Sequence, residues 1–283
     1  MKAVVITGVS TGIGRASTEV LVNAGYHVFG SVRKQEDADA LKIKLGENYT
    51  PLLFDVRDEE AVKRSVEQVK QRLGTDGQLI GLVNNAGIGL GGPSQHLDVD
   101  IFRKQFEANF FGVVSETNAF LELLGARKDA NRKGKIIMIS SIGGKRAFPF
   151  LGPYTASKHA IEGYSDALRI ELQLYGIDVI VIEPGAVITA IWDKVPDPQD
   201  NPFINTEYAT ALQKFYGFFI KEGKKGLPAE VIGNTVKNIL ETDKPKTRYV
   251  LVKNKFRNFI LPSILPDRKF DKMIGKALGL LDR

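Results

Sequence analysis

Tyr154 and Lys158 stand four residues apart in a stretch of helical period, so a phenol and an ammonium share one helix face. A positive charge beside a phenol favours the phenolate and draws a pKa of about 10 toward neutrality, which makes the group a usable proton donor and acceptor. Tyrosine and lysine at this spacing also occur on many solvated helices, so the surroundings must decide. Ser140-Ser141 ends an apolar run, with Ser141 thirteen residues ahead of Tyr154, and Asn84-Asn85-Ala86-Gly87 ends an earlier run. Alternation of period two turns one of the two serines inward and the other away. The spacing to Tyr154 favours Ser141, with Ser140 as the alternative hydroxyl.

A second constellation lies near the N-terminus, Thr7-Gly8-Val9-Ser10-Thr11-Gly12-Ile13-Gly14. Glycines there let backbone approach a pyrophosphate with no Cβ in the way, and the N-terminus of a following helix offers free N–H groups and a positive dipole end. The spacing GxxxGxG is neither the GxGxxG fingerprint nor a P-loop with its Lys-Ser/Thr. A merely tight strand-to-helix turn would look the same in isolation, but the place after a first strand points to a dinucleotide. The end of the second strand tells which one, because an acid there bonds the adenosine ribose of NAD and an arginine accommodates a 2′-phosphate. The chain reads Gly30-Ser31-Val32-Arg33-Lys34, with no carboxylate before Glu36. Arg33 could clamp the phosphate and stack on adenine, with Ser10 as a hydroxyl donor. NADP is therefore expected in preference to NAD, against the bland reading of an exposed basic loop.

Positioning these groups requires alternating strands and helices. Strands are expected at Lys2–Thr7, Tyr26–Val32, Thr50–Val56, Leu79–Asn84, Gly134–Ser140, Ile177–Glu183 (halted by Pro184-Gly185) and Arg248–Val252. The glycine turn opens a helix with Ala16, Val20, Leu21 and Ala24 on one face, and Asp58 caps a helix whose apolar positions are Val62, Val66, Val69 and Leu73. Longer helical patterns cover Val99–Leu124 and Tyr154–Leu174. The alternation specifies an α/β fold, a doubly wound parallel sheet of Rossmann type with about seven strands and helices on both faces, whose ligands bind beyond the carboxyl ends of the strands. Residues 1–243 read as one domain with its substrate loops, and 244–283 as a last strand and an amphipathic helical appendage.

Composition removes other chemistries. The 283 residues are 43% hydrophobic and 25% charged, which excludes disordered and fibrous classes. There is no cysteine, and His27, His96 and His159 are the only histidines, so no disulfide scaffold, metal site or Ser-His-Asp triad is expected. No apolar run reaches the roughly 18–20 residues of a membrane span, and the chain runs from Met-Lys straight into a strand, so a cytoplasmic address is expected. The net charge is +6, but residues 244–283 carry +8 and the remainder −2. With the bulk of the chain not basic, nucleic acid is not an expected partner.

The glycine turn TGVSTGIG, the NNAG at 84–87, Asn109, Ser141, the YxxxK at 154–158 and Pro184-Gly185 with Thr189 stand in the order and spacing of the short-chain dehydrogenase/reductase family, which the chain resembles from Lys2 to about Thr189. The resemblance implies Tyr154 as general acid/base, Ser141 as hydrogen-bond partner of the substrate oxygen, and Lys158 as holder of the nicotinamide ribose and depressor of the tyrosine pKa. It implies Asn109 as anchor of a water passing protons between solvent and lysine; the bland reading of Asn109 is a helix cap or kink. Cofactor contacts carried over are the turn residues Gly8, Ser10, Thr11, Gly12, Ile13 and Gly14, then Arg33, Asp55, Val56, Asn85, Ala86 and Gly87, and finally Tyr154, Lys158, Pro184, Gly185, Val187 and Thr189. Arg33 lies one residue past the acid of NAD-preferring relatives and matches the NADP-preferring pattern. The helices at 99–124 and 154–174 resemble the family's dimer and tetramer surface, which implies a homodimer or homotetramer.

Substrate identity must come from Ile88–Asp98, Ile142–Pro153 and the stretch after Thr189. These carry Leu90, Pro93, Phe148, Phe150, Leu151, Trp192 and Phe215-Tyr216-Gly217-Phe218-Phe219, a composition suited to a lipophilic alcohol, ketone or aldehyde of steroid, retinoid or lipid kind, or only to packing the lid. Phe270, Met273, Ile274, Ala277, Leu278 and Leu281 recur at helical spacing after Asp267, a candidate N-cap, with lysines and arginine on other faces. That basic helix docks on the domain or a partner subunit, or lies on an anionic membrane surface. The expected function is NADP(H)-dependent interconversion of an alcohol and a carbonyl. A catalytically idle NADP-binding redox sensor on the same fold is the alternative, disfavoured by the complete proton-transfer set; nucleotide-sugar epimerase chemistry would need a larger substrate region.

Overall fold

The computed structural model describes residues 1–75, 77–128, 130, 133–190 and 201–281. Chain order runs β1 (Lys2–Ile6), α1 (Gly12–Asn23), β2 (His27–Val32), α2 (Gln35–Leu45), β3 (Tyr49–Leu53), α3 (Glu59–Leu73) and β4 (Gln78–Asn84). It continues with α4 (Val99–Phe106), α5 (Gly112–Phe120), β5 (Lys135–Ile139), α6 (Gly152–Glu171), β6 (Asp178–Pro184) and the short β7 (Val187–Ile188). After α7 (Ala209–Lys224) come β8 (Leu227–Pro228), α8 (Ala229–Glu241), β9 (Arg248–Leu251), α9 (Leu261–Ile264) and α10 (Asp267–Leu278).

Among the described residues, seven strands form one parallel sheet in the order β3-β2-β1-β4-β5-β6-β9. Successive side chains alternate between two apolar layers. Ala3 and Val5, Ile136 and Met138, and Val179 and Val181 enter one layer; Val4 and Ile6, Ile137 and Ile139, and Ile180 and Ile182 enter the other. Both faces are therefore buried, which is why the strands read as continuous apolar runs. The strand order reverses at β1 and β4, opening a crevice at their carboxyl ends.

Several sequence expectations shift. The face of α1 toward the core is Gly14, Ser17, Thr18 and Leu21, with Ala16 and Val20 half-buried and Ala24 exposed. Small residues are needed there because Gly233 of α8 brings the two helices together, and a Cβ on it would lie 3.0 Å from the Ala16 carbonyl oxygen. The single helix expected over Val99–Leu124 contains a π turn at Glu107–Phe111 and ends at Phe120, ahead of Gly125 at φ +99°. β3 stops at Leu53, three residues short of the expected Val56, and Pro184 lies inside β6 at its end. Asp58 caps α3 as expected, accepting the Ala61 N–H at 2.9 Å. Asp267 is not the cap of α10: Pro266 holds that place, and the Asp267 carboxylate pairs with Arg146 at 2.9 Å.

Candidate active site

β1 ends at Ile6, and after Thr7 the chain turns at Gly8 (φ +69°) and again at Gly12 (φ +62°), the first residue of α1, both in a left-handed backbone that favours glycine. The turn is closed by neighbouring strands: Ser31 Oγ accepts from the Gly8 N–H at 2.9 Å, and Asn85 Nδ2 donates to Thr7 and Gly8 carbonyls at 2.8 and 3.0 Å. Thr11 caps α1 with no side-chain hydrogen bond, so the first amides of the helix remain available to an anion. A Cβ at Gly8 would meet Ala86 Cα at 2.9 Å and one at Gly12 would meet Thr189 Cγ2 at 3.3 Å. The turn, the NNAG segment and Thr189 thus lie against one another. Arg33 stands exposed just past β2, with no carboxylate on the strand end. Asp55 is held by Arg57 through contacts of 2.9 and 2.7 Å, which depresses its carboxyl to about 2. A backbone cradle, a helix N-terminus and an exposed guanidinium fit a phosphorylated dinucleotide.

Tyr154 and Lys158 lie in the first two turns of α6, Lys158 buried. Ser141, in the loop after β5, accepts the Gly143 N–H at 3.0 Å and stands beside Tyr154 across that glycine, where a Cβ would lie 3.3 Å from Ser141 Oγ and 3.5 Å from Tyr154 Cε1. Ser140 is buried, its Oγ without a hydrogen-bond partner, packed beneath Gly144. Of the two serines, Ser141 is the one brought to the tyrosine. Lys158 Nζ donates to the Ile139 carbonyl at 2.7 Å and stands 5.9 Å from the Tyr154 ring centre. Burial pulls the lysine pKa down to about 8, while Glu162 one turn on pulls it up. Burial raises the Tyr154 pKa against the lowering influence of the Ser141 hydroxyl, while the Lys158 ammonium is directed to the Ile139 carbonyl.

Asn109 sits at the centre of the π turn, buried. Its Oδ1 accepts from Ile88 N–H at 2.8 Å, and its Nδ2 donates to the Ile88 carbonyl at 3.0 Å and to Ser157 at 3.2 Å. Neither a cap nor a simple kink describes it; the side chain ties the loop after β4 to α6, and the inserted residue interrupts the regular helical ladder, as π turns at functional sites do.

Sequence reading missed three supports. Gln105, one turn before Asn109 and fully buried, bonds Leu90 N–H and the Ile88 carbonyl at 2.7 Å each; a glutamine on the inward face at i−4 was the available signal. Thr7 Oγ1 accepts both Asn85 and Ala86 amides at 3.1 and 3.0 Å. Beneath α6, Glu162 pairs with Lys145 at 2.8 Å and Arg248 at 3.1 Å, and Glu183 with the same arginine at 3.2 Å. These contacts join residues distant in sequence and leave no local pattern.

Around the site, Phe150, Phe215, Leu212 and Leu278 form a buried cluster with Phe148, Leu151, Phe203 and Tyr208 packed on it. Phe150 has φ +64°, a strained value for an aromatic residue, fixed by its carbonyl accepting Gly92 N–H at 2.8 Å. Phe218 points to solvent, and Trp192 lies outside the described residues.

The chain is similar to known proteins. The family model for short chain dehydrogenase matches residues 2–200. The NADPH-dependent 3-dehydrocapnine reductase of Ornithobacterium rhinotracheale is 41% identical over 281 residues, 99% of either chain. The 3-ketodihydrosphingosine reductase of Bacteroides thetaiotaomicron is 33% identical over 245 residues, 87% of this chain and 86% of that one. Among solved structures, a short-chain dehydrogenase from Streptomyces avermitilis superposes with a TM-score of 0.75 at 27% identity, covering 100% of this chain and 98% of that one. With the cradle, the Ser141–Tyr154–Lys158 grouping and these matches together, the chain belongs to the short-chain dehydrogenase/reductase family and is an NADP-dependent oxidoreductase acting on CH–OH groups.

Proposed function

We propose that the enzyme reduces the ketone of a long-chain, lipid-like substrate, with Tyr154 as proton donor. The observation that carries the mechanism is Ser141 set beside Tyr154 across Gly143, with buried Lys158 one turn along α6. NADPH supplies the hydride. Gly8, Ser10, Thr11, Gly12, Ile13 and Gly14 would hold its pyrophosphate, Arg33 its 2′-phosphate, Asp55 and Val56 the adenine, and Asn85, Ala86 and Gly87 the wall behind the adenosine. Pro184, Gly185, Val187 and Thr189 would hold the nicotinamide end.

The Tyr154 pKa, held up by burial, keeps the phenol loaded with its proton before reaction, the state that reduction needs. Ser141 Oγ orients the carbonyl oxygen beside that proton. Lys158 makes the resulting phenolate less costly through its charge and holds the nicotinamide ribose, and Asn109 anchors the water through which a proton returns. The lipophilic substrate is supported by the aromatic cluster behind Phe150 and by two relatives named for 3-dehydrocapnine and 3-ketodihydrosphingosine. Exposed Phe111 on the π turn and Ile170 on α6 support pairing of copies across these helices.

The test is NADPH oxidation against 3-ketones of increasing chain length. Burial of each methylene contributes about 0.8 kcal/mol, so kcat/KM rises about fourfold per carbon until the pocket is filled. A flat profile, or preference for small polar ketones, would overturn the substrate reading.

A further inference from the structure

The segment after β9 turns apolar side chains outward in two places. Helical backbone runs from Phe256 through a π turn into α9 and ends at Ile264. One side of it closes over the loop after β5, where Phe259, Pro262 and Ser263 meet Ile142, Arg146 and Phe148 around a small gap. The other side leaves Phe256, Ile260 and Ile264 exposed at 63, 39 and 67%. In α10 and the residues just after it the division repeats. Phe270 and Leu278 are buried against the body, whereas Met273 and Leu281 are 50 and 52% exposed. The docking reading of the C-terminal helix therefore accounts for only half of its apolar residues.

Lys255, Arg257, Lys272 and Lys276 stand exposed among these side chains, and residues 253–281 carry seven lysines and arginines against two aspartates, a net charge of +5. The segment is fixed to the enzyme next to Ser141: Arg146 bonds Asp267 at 2.9 Å and lies 4.2 Å over the Phe270 ring.

We propose that this face, residues 253–281, seats the enzyme on an anionic membrane surface. Charge complementarity selects that occupant. A second copy would bring the same positive charge against it, whereas a bilayer of anionic headgroups offers opposite charge above hydrocarbon that can take up phenylalanine and isoleucine. Among the described residues no helix is long and apolar enough to cross a membrane, so the contact is peripheral. Its place beside the loop after β5 puts the membrane next to the active site. The proposal does not rest on the substrate assigned above.

Co-sedimentation of the full chain with phosphatidylcholine vesicles, with and without phosphatidylglycerol, tests it. The protein should pellet with the anionic vesicles at least tenfold more than with the neutral ones, and less as salt rises. The pair Ile260→Asp/Ile264→Asp and the pair Lys272→Glu/Lys276→Glu should each lower that binding tenfold or more, while Ile43→Asp, an equal change at an exposed site on α2, leaves it unaltered. NADPH-induced thermal shifts confirm that each variant is folded. Absence of binding at low salt, or binding unchanged in the Ile260/Ile264 pair, would overturn the proposal. So would a fall in oligomeric state caused by that pair, which would assign the face to contact between copies.

Discussion

Gly14→Ala isolates the contribution of the phosphate turn. Gly14 lies within α1, where alanine is the better helix former by about 1 kcal/mol, so propensity alone predicts stabilisation. Packing predicts the opposite. A Cβ on Gly14 would overlap the Gly8 carbonyl oxygen and Asn85 Nδ2 and lie 3.0 Å from the Gly8 carbonyl carbon. Restoring ordinary contact moves the turn or the amide by about 1 Å. Asn85 Nδ2 would then lose its bonds to Thr7 and Gly8 carbonyls, about 1 kcal/mol each, and overpacking adds about 1–3 kcal/mol. Net destabilisation is about 2–4 kcal/mol, a melting-point drop of about 5 °C or more in a chain of this size. Because the same 1 Å displaces the amides that face the pyrophosphate, NADPH affinity should fall about a hundredfold. Thermal unfolding and NADPH fluorescence titration read the two effects, with Gly217→Ala, where nothing lies within 4 Å of the new Cβ, as a control of equal or higher stability. A Gly14→Ala protein with unchanged melting point and NADPH affinity would refute the reasoning.

Other consequences are direct. Arg33→Ala should weaken NADPH about tenfold to a hundredfold, through loss of a charge-assisted contact, and leave NADH unchanged; equal losses for both would remove Arg33 from the 2′-phosphate. Lys158→Met should be inactive yet more stable at pH 7. The lysine pKa falls from 10.5 unfolded to about 8 folded, so its burial opposes folding below pH 8 by about 3 kcal/mol, less about 1 for the lost bond to Ile139, and the gap should close between pH 8 and 10.5 in denaturant titrations. Glu116 is fully buried, both carboxyl oxygens lack a hydrogen-bond partner of good geometry, and burial raises its pKa well above 4.5, with the Thr7 hydroxyl opposing. A raised folded pKa means stability present below the unfolded value and lost as pH rises. Glu116→Met should therefore stabilise by about 1–3 kcal/mol near neutrality, with an advantage that grows toward alkaline pH in the same titrations.

The strands of the parallel sheet were legible because both of its faces are buried, and apolar runs bounded by glycine or proline and too short for a helix read as strands; their order across the sheet came only from the structure. The catalytic grouping was legible because Tyr154 and Lys158 share one helix and Ser141 follows one strand, so local spacing carries the geometry. The π turn was not, since inserting one residue into a helix leaves the apolar period intact within a few positions. The face of α1 was misread for a different reason. Its core side is chosen by Gly233 on a helix more than two hundred residues away, which demands small residues rather than large apolar ones. The direction of the Tyr154 pKa was likewise hidden: the sequence shows the neighbouring lysine, but the burial that raises the phenol pKa exists only in the fold.

Single-turnover reduction by Tyr154→Phe, preloaded with NADPH and mixed with a long-chain 3-ketone, tests the central claim most directly. Phenylalanine keeps the ring and removes the hydroxyl that carries the proton, so NADPH affinity should stay within about threefold while hydride transfer slows about 10²–10⁴-fold. Transfer at the native rate would contradict the account and place the proton donor elsewhere in the site.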